Sequence, residues 1–223
     1  MESFEPSSRV LDLGAGAGIV EQTRFRGQVA HICGVDPDPR VKENPYLDEA
    51  HVGVGEAIPC DDESFDLVFA NNVLEHLENP DTVFREVARV LKPGGCFLTK
   101  TPNKWHYMPV IASCTPHWFH QFVNQLRGRD SEDTFPTHYR ANSRRDVRRV
   151  ATNVGLEVER IELIEGRPEY LRMTAPTYLA GWCYERAVNV VPGLSSFRVV
   201  MLSVLRKPAA DSSLATHASR RAA

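Results

Sequence analysis

The sequence predicts an α/β fold with a doubly wound, mostly parallel sheet, and three features support this prediction. Strand-like and helix-like segments alternate from residue 9 onward, which is the usual pattern of an α/β domain. A glycine-rich turn, residues 14–18, follows the first strand-like segment. Residues 65–70 form an almost continuous apolar run, which is typical of a strand buried on both faces of a parallel sheet.

Seven segments are predicted as strands because they are short, apolar and bounded by turn-forming residues. They cover residues 9–13, 29–35, 51–54, 65–70, 96–101, 156–164 and 197–205. A short helix is expected over residues 19–25, between the first two strands. We expect the last strand to run antiparallel to the others.

Two further helices have recognisable ends. The first is predicted to begin at Asn79, a residue type that caps helices, and to stop at Pro93–Gly95. The second is predicted to begin at Ser143, with Asp146 three residues later in a capping-box arrangement, and to end at Gly155.

Composition excludes several classes of protein. The chain has 223 residues, of which 42% are hydrophobic and 25% charged, so it can bury a core and is not disordered as a whole. A net charge of −3 argues against a protein that coats nucleic acid, and no apolar run approaches the ~20 residues of a transmembrane segment. The five cysteines never form a CxxC pair. We therefore expect reduced thiols in a cytoplasmic protein, with neither a disulfide framework nor a zinc site.

One domain is predicted over residues 9–208, preceded by a short leader (1–8) and followed by a disordered tail (209–223). Two stretches break the alternation of strands and helices, namely residues 103–141 and 165–196. Insertions of this length are usually lids or binding segments, and we expect that role here.

The glycine-rich turn has the spacing GxGxG, which differs from the GxGxxG of dinucleotide-binding proteins. Asp36 follows about 20 residues later at the end of the second strand, where a carboxylate can accept both hydroxyls of an adenosine ribose. Each feature also has a purely structural interpretation. The glycines could form a tight turn that binds nothing, and Asp36 could serve the turn Asp36-Pro37-Asp38-Pro39.

The segment Val10–Gly18, taken with Gly34-Val35-Asp36, resembles the class I S-adenosylmethionine-dependent methyltransferases. Later segments resemble the ubiquinone/menaquinone-type small-molecule branch (methyltransferase type 11-like), namely residues 62–77, 91–95, 101–103 and 138–139. The resemblance covers residues 9–164 and extends more loosely to 208. It implies a Rossmann-like sheet with helical lid insertions, S-adenosylmethionine as cofactor, S-adenosylhomocysteine as product, and no metal.

The resemblance also implies which residues bind the cofactor. The methionine part would be held by Asp12, Gly14, Ala15, Gly16 and Gly18. The ribose and adenine would be held by Asp36, Pro37, Gly55, Glu56 and Ala57. Asn71 would lie beside the sulfonium, although a polar strand end is its alternative role. The family often has an acidic residue where this chain has Val54, which leaves Glu56 or a backbone carbonyl to accept the adenine amine.

His76, on the loop after the fourth strand, is the one candidate for acid–base chemistry, because a histidine there could take a proton from an acceptor hydroxyl. Packing of the loop is the alternative role. The acceptor is expected to contact Trp105, His106, His138 and Tyr139. A metal site at His106, His117, His120 and His138 lacks an accompanying carboxylate, so an aromatic lid is the better interpretation. A helical subdomain with its own core is a further alternative.

The predicted function is direct transfer of a methyl group to a small-molecule acceptor, apolar or aromatic, without nucleic acid as a partner. Two alternatives are open. An oxidoreductase with a nucleotide cofactor is disfavoured by the GxGxG spacing, and a protein could bind the cofactor without catalysing a reaction. The sequence does not indicate the oligomeric state.

Overall fold

The computed structural model describes residues 5–18, 25–114, 136–167, 171 and 174–209. Its strands are β1 (Arg9–Leu13), β2 (His31–Asp36), β3 (Glu49–Val52), β4 (Phe65–Asn71), β5 (Leu91–Pro102), β6 (Glu157–Ile164) and β7 (Val200–Arg206). They form a seven-stranded sheet in the order β3-β2-β1-β4-β5-β7-β6. Every pairing is parallel except those of β7, which runs antiparallel to both β5 and β6. The predicted fold class is confirmed, including the antiparallel last strand.

Four α-helices connect the strands in the described part of the chain. They are α1 (Pro80–Val90), α2 (Tyr107–Cys114), α3 (Arg144–Asn153) and α4 (Ala175–Val190). The start of α3 is confirmed, because the Ser143 Oγ accepts a hydrogen bond from the Asp146 amide at 3.2 Å. Its end is confirmed as well, since Gly155 adopts a φ of +79°. The predicted helix over residues 19–25 lies, apart from residue 25, outside the described residues.

The predicted start of α1 is confirmed, because Asn79 is the N-cap residue and Pro80 begins the helix, but the predicted stop at Pro93–Gly95 is wrong. The Asn79 side chain makes no capping hydrogen bond, and the Asn79 carbonyl instead accepts the amides of Thr82 and Val83. The helix ends at Val90, before Pro93, because the fully buried Leu91 adopts an extended backbone conformation and begins β5. The fifth strand is therefore longer than predicted.

The sheet separates two apolar layers. On one face Phe84 of α1 and Val150 of α3 pack in the same cluster as Leu11, Val68 and Phe97, and the Phe84 and Phe97 rings meet edge to face at 5.3 Å. The opposite face is covered by a smaller cluster that contains Val10, Ile32, Val41, Leu47, Leu67 and Phe69. None of the described helices is both long and apolar enough to cross a membrane.

Parts of the predicted domain organisation lie outside the described residues. These parts are residues 1–4 of the predicted leader, 115–135 of the first insertion, 168–170 and 172–173 of the second insertion, and 210–223 of the predicted tail. His117 and His120, two of the four histidines considered for a metal site, belong to residues 115–135 and so lie outside the described residues.

Candidate functional site

The glycine-rich turn has a backbone that only glycine tolerates easily. Gly14, Gly16 and Gly18 have φ values of +80°, +51° and +78°. A Cβ on Gly14 would lie 2.3 Å from the Cγ2 of Val73, whereas a Cβ on Gly16 would meet nothing within 4 Å. Gly14 is therefore required by packing, and Gly16 borders open space.

Asp36 joins this turn to the end of β2. Its Oδ2 accepts a hydrogen bond from the Gly16 amide at 2.9 Å, and its Oδ1 accepts one from the Asp38 amide at 2.8 Å. The contact arises because β1 and β2 are parallel neighbours whose ends lie side by side, with Leu13 opposite Val35. The structure thus brings together the glycines and the carboxylate that the sequence singled out.

Asn44 also holds the glycine-rich turn in place, and the sequence alone did not predict this role. Its Nδ2 donates to the carbonyls of Ala15 and Gly16, both at 3.2 Å, and its Oδ1 accepts the Tyr46 amide at 3.0 Å. A Cβ on Gly18 would lie 2.5 Å from that Oδ1, so Gly18 leaves room for the amide. In the sequence Asn44 has only the pattern of an ordinary turn residue.

Asp12 is a buried carboxyl group within β1. Burial is the main cause that raises its pKa to about 8, and the nearby negative charge of Asp36 adds to the effect. The group is consequently mostly neutral at pH 7. A cation beside it would restore the charged form, because the two opposite charges stabilise each other.

A cavity of about 270 Å³ opens beside the glycine-rich turn. Its walls include six residues predicted for the site, namely Gly14, Pro37, Gly55, Glu56, His76 and His138. Val54, which stands where the family often has an acidic residue, also lines the cavity. Ala57 is not in its wall, but the Ala57 amide closes the same loop by donating to the Val54 carbonyl at 3.1 Å.

Asn71 ends β4 two residues before Val73, which lines the cavity. Its Oδ1 is buried and accepts no hydrogen bond from the part of the chain that the structure describes. A buried oxygen without a donor is rare in folded proteins and commonly indicates a missing water or ligand.

His76 lies at the end of a 3-10 turn, Leu74–His76, and is one of the residues that line the cavity. Its Nδ1 lies 2.7 Å from the carbonyl oxygen of Pro136. Because a carbonyl oxygen only accepts, Nδ1 carries the proton, and in the neutral ring Nε2 holds the lone pair. That tautomer is the one a base acting through Nε2 requires.

The loop that carries His76 is fastened by Glu75. The buried Glu75 carboxylate accepts the Thr101 hydroxyl at 2.9 Å, and burial raises the pKa of this carboxyl group. The Glu75 carbonyl accepts the amides of His138 and Tyr139 at 2.7 and 3.2 Å. Glu75 therefore holds residues 138 and 139 against the loop of His76.

The four residues predicted to contact the acceptor do not form one group. His138 lines the cavity with His76, whereas Tyr139 lines a more open depression of about 510 Å³ next to the start of α1. Trp105 is exposed and lies in neither wall.

His106 is fully buried away from both walls. Its ring centroid lies 4.1 Å from that of Tyr107 and 5.5 Å from that of Tyr184, and its Nε2 is 3.8 Å from the Glu165 carboxylate. Burial lowers its pKa to about 4, so the ring is neutral at pH 7. This environment is that of a packed core histidine.

Comparison with known proteins matches a methyltransferase domain family over residues 1–161. The ubiquinone biosynthesis O-methyltransferase of Maricaulis maris is 31% identical over 119 residues, which are 49% of this chain and 46% of that protein. The chain thus spans about half the length of such curated relatives.

Solved structures share the fold at low sequence identity. An S-adenosylmethionine-dependent methyltransferase of Methanosarcina mazei has a TM-score of 0.61 at 14% identity, covering 93% of this chain and 95% of that one. The geranyl diphosphate C-methyltransferase of Streptomyces coelicolor A3(2), solved with Mg²⁺, geranyl diphosphate and S-adenosyl-L-homocysteine, has a TM-score of 0.54 at 16% identity, covering 92% of this chain and 74% of that one.

Proposed function

The chain belongs to the class I S-adenosylmethionine-dependent methyltransferases, and from that premise we propose that it transfers the methyl group of S-adenosylmethionine to a small-molecule acceptor by direct displacement. The observation that carries the proposal is the hydrogen bond between Gly16 and Asp36 beside an open cavity. It places a bent backbone and a carboxylate at the ends of adjacent strands, where α/β proteins bind their ligands.

Three groups in this region fit the cofactor. The open space next to Gly16 accommodates a ligand against the backbone. The buried Asp12 carboxyl group suits an amino group, whose charge would shift Asp12 to its ionised form. The buried Oδ1 of Asn71 requires a donor that the described residues do not supply.

Asp36 is proposed to bind the ribose. Each oxygen of its carboxylate already accepts one backbone amide, and each retains a further lone pair for a hydroxyl donor. The two backbone bonds hold the carboxylate in one orientation, so little side-chain entropy is lost when a sugar binds. Pro37 and the loop Gly55–Ala57 are proposed to flank the adenine.

When bound, S-adenosylmethionine supplies a methyl group that its sulfonium already activates for displacement. The chain then has to bind and orient the acceptor, and positioning accounts for much of the acceleration in such reactions. His76 is proposed to hold the acceptor hydroxyl through Nε2 and to accept its proton. The Pro136 carbonyl keeps the ring in the tautomer that allows this.

The acceptor is proposed to be an apolar or aromatic small molecule. The quinone-pathway relative supports this class, and so do the exposed aromatic side chains of Trp105, Tyr178 and Trp182 in the two insertions. We propose that residues 103–141 and 165–196 form the lid through which the acceptor enters, within one domain that covers residues 9–208.

Calorimetric titration of the full chain with S-adenosylmethionine, S-adenosylhomocysteine and NADH tests the cofactor. We expect the first two ligands to bind with one site per chain and NADH not to bind. Binding of NADH alone would overturn the proposal. A radiolabelled methyl donor, incubated with a fractionated small-molecule extract, then separates an enzyme from a cofactor-binding protein, because only an enzyme transfers label to a fraction.

A further inference from the structure

A cluster of soft ligands lies at the edge of the sheet, apart from the glycine-rich turn. In the parallel pairing of β2 and β3, Cys33 is opposite Glu49 and Val35 is opposite His51. Residues two apart on a strand point to the same face, so Cys33, Glu49 and His51 share one face. Cys60, in the turn that follows, approaches the same place, and the two Sγ atoms and a His51 ring nitrogen all lie within 4.8 Å of one another.

These separations suit a tetrahedral metal ion. With Zn–S bonds of about 2.3 Å and Zn–N bonds of about 2.0 Å, tetrahedral donors lie roughly 3.5–3.8 Å apart. The donor atoms of the three side chains therefore need to approach one another by no more than about 1.0–1.3 Å to share one ion. Cys33 is buried, whereas Cys60 and His51 are half-buried, so an ion could reach the cluster from the side of these two residues.

Hydrogen bonding between the two thiols prepares the cluster for a cation. The side chains of Cys33 and Cys60 are hydrogen-bonded to each other, so their two Sγ atoms already face one another. Thiols bind metal ions as thiolates, so an ion bound here would displace the thiol protons.

Glu49 supplies the outer contact that metal-bound histidines usually have. Its Oε1 lies 2.8 Å from the Nε2 of His51, and its Oε2 lies 3.1 Å from the Nε2 of His31. A carboxylate that accepts one ring N–H orients the imidazole and leaves Nδ1 as its lone-pair nitrogen.

Charges of both signs surround the cluster. Arg89 donates to the Cys60 carbonyl at 2.8 Å and favours the thiolate, but Glu86 and Asp62 each pair with it at 2.7–2.8 Å. Arg9 acts in the same direction on Cys33. The Glu49 carboxylate acts in the opposite direction on both thiols.

We propose that Cys33, His51 and Cys60 bind a thiophilic divalent cation of the Zn²⁺ class, with water in the fourth position. Such an ion would join β2, β3 and the turn at Cys60. That turn continues directly from Gly53–Glu56, which lines the cavity, so the metal would stiffen one wall of the proposed cofactor site. The proposal is independent of the proposed methyl transfer.

The proposed metal site can be tested with Co²⁺. Thiolate-bound Co²⁺ absorbs light at wavelengths that report both the thiolate ligands and a tetrahedral geometry. The full chain, stripped of metal and kept reduced with a phosphine, is titrated with Co²⁺ and then with Zn²⁺ in competition. We expect one Co²⁺ per chain, a thiolate-to-cobalt band, displacement by Zn²⁺, and release of protons to the buffer.

Variants assign the ligands. Cys60→Ser and His51→Gln, both at half-buried positions, should each weaken binding by at least about 100-fold, and Glu49→Gln by about 10–100-fold. Cys183→Ser, an exposed cysteine on α4, is the matched control and should leave the spectrum unchanged. Circular dichroism of each variant shows whether it is folded.

Three outcomes would overturn the proposal. One is the absence of a thiolate-to-cobalt band in the reduced, folded chain. Another is an unchanged affinity in folded Cys60→Ser and His51→Gln. The third is loss of the band in Cys183→Ser, because the metal would then be bound elsewhere.

Discussion

The carboxylate of Asp36 and the amide of Gly16 are joined by a 2.9 Å hydrogen bond across the ends of two adjacent strands. The bond spans 20 positions of the chain and holds the end of β2 against the glycine-rich turn. A charged acceptor of this kind interacts more strongly than a neutral one, so Asp36 contributes both to the shape of the turn and to the proposed contact with the ribose.

Asp36→Ala should weaken the binding of S-adenosylmethionine by about 1–3 kcal/mol, because the ribose hydroxyls would lose a charged acceptor. Isothermal titration calorimetry measures this change. Asp38→Ala is the matched control, since Asp38 lies in the same turn and its carboxylate instead accepts the Arg40 amide. Equal affinities of Asp36→Ala and the unsubstituted chain would remove Asp36 from the cofactor site.

Asp12→Asn should stabilise the ligand-free protein at neutral pH. Folding raises the Asp12 pKa from 3.8 to about 8, so the folded state binds more protons than the unfolded state between these values. The contribution of Asp12 to the free energy of unfolding is therefore fully present below pH 3.8 and is lost as the pH rises through 8. We expect the variant to gain stability near pH 8, by up to about 1.4 kcal/mol for each pH unit by which folding raises the pKa, and to gain little near pH 4, as measured by urea unfolding.

The same substitution should weaken binding of S-adenosylmethionine, because a neutral amide cannot pair with the amino group. Binding to the unsubstituted chain should release a proton near pH 7, which calorimetry in two buffers of different ionisation enthalpy detects. Binding to Asp12→Asn should release none. If both proteins release the same number of protons, Asp12 is not the group that ionises.

Two alanine substitutions in the glycine-rich turn should have different consequences. Gly14→Ala should lower the free energy of unfolding by roughly 2–4 kcal/mol, since its Cβ would lie 2.3 Å from Val73 at a φ of +80°. Gly16→Ala should cost only about 1 kcal/mol of stability, because its Cβ would meet nothing.

Gly16→Ala should nevertheless weaken S-adenosylmethionine binding at least about tenfold, because the methyl group would project into space that the ligand needs. Chemical denaturation and calorimetry on the same preparations separate the two effects. A Gly16→Ala protein with the affinity of the unsubstituted chain would show that the ligand does not approach this part of the turn.

The sheet and its motifs could be predicted from sequence because each depends on local signals. The apolar run of β4 and the glycines at the end of β1 are contiguous in the chain. The start of β5 was misplaced because Pro93 and two glycines suggested a helix stop. In the structure Leu91 is buried in the core as the first residue of β5, so the helix ends before Pro93.

Residues that act through long-range contacts could not be found in this way. Asn44 reaches Ala15 and Gly16 only because the turn after β2 folds back beneath them. The cluster of Cys33, His51 and Cys60 has no sequence spacing typical of a metal site, since the pairing of β2 with β3 creates it. The burial of His106 against Tyr184 of α4 is a contact of the same long-range kind.

His76→Ala should leave the affinity for S-adenosylmethionine within about twofold of the unsubstituted chain while lowering the rate of methyl transfer. A general base typically contributes about 10²–10⁴ in rate, and we expect a loss in the lower part of that range, since the sulfonium is already activated. The loss should shrink as pH rises, because the acceptor hydroxyl then ionises without help. Calorimetry measures the affinity, and labelled-methyl transfer against pH measures the rate.

His138→Gln is the matched control, because His138 lines the same cavity and its ring lies 3.5 Å from Glu78. If His76 is the base, only its substitution should change the shape of the pH profile. A large loss of cofactor affinity in His76→Ala would contradict the assignment. It would mean that the bond from Nδ1 to Pro136 shapes the cavity, and that the ring has no part in proton transfer.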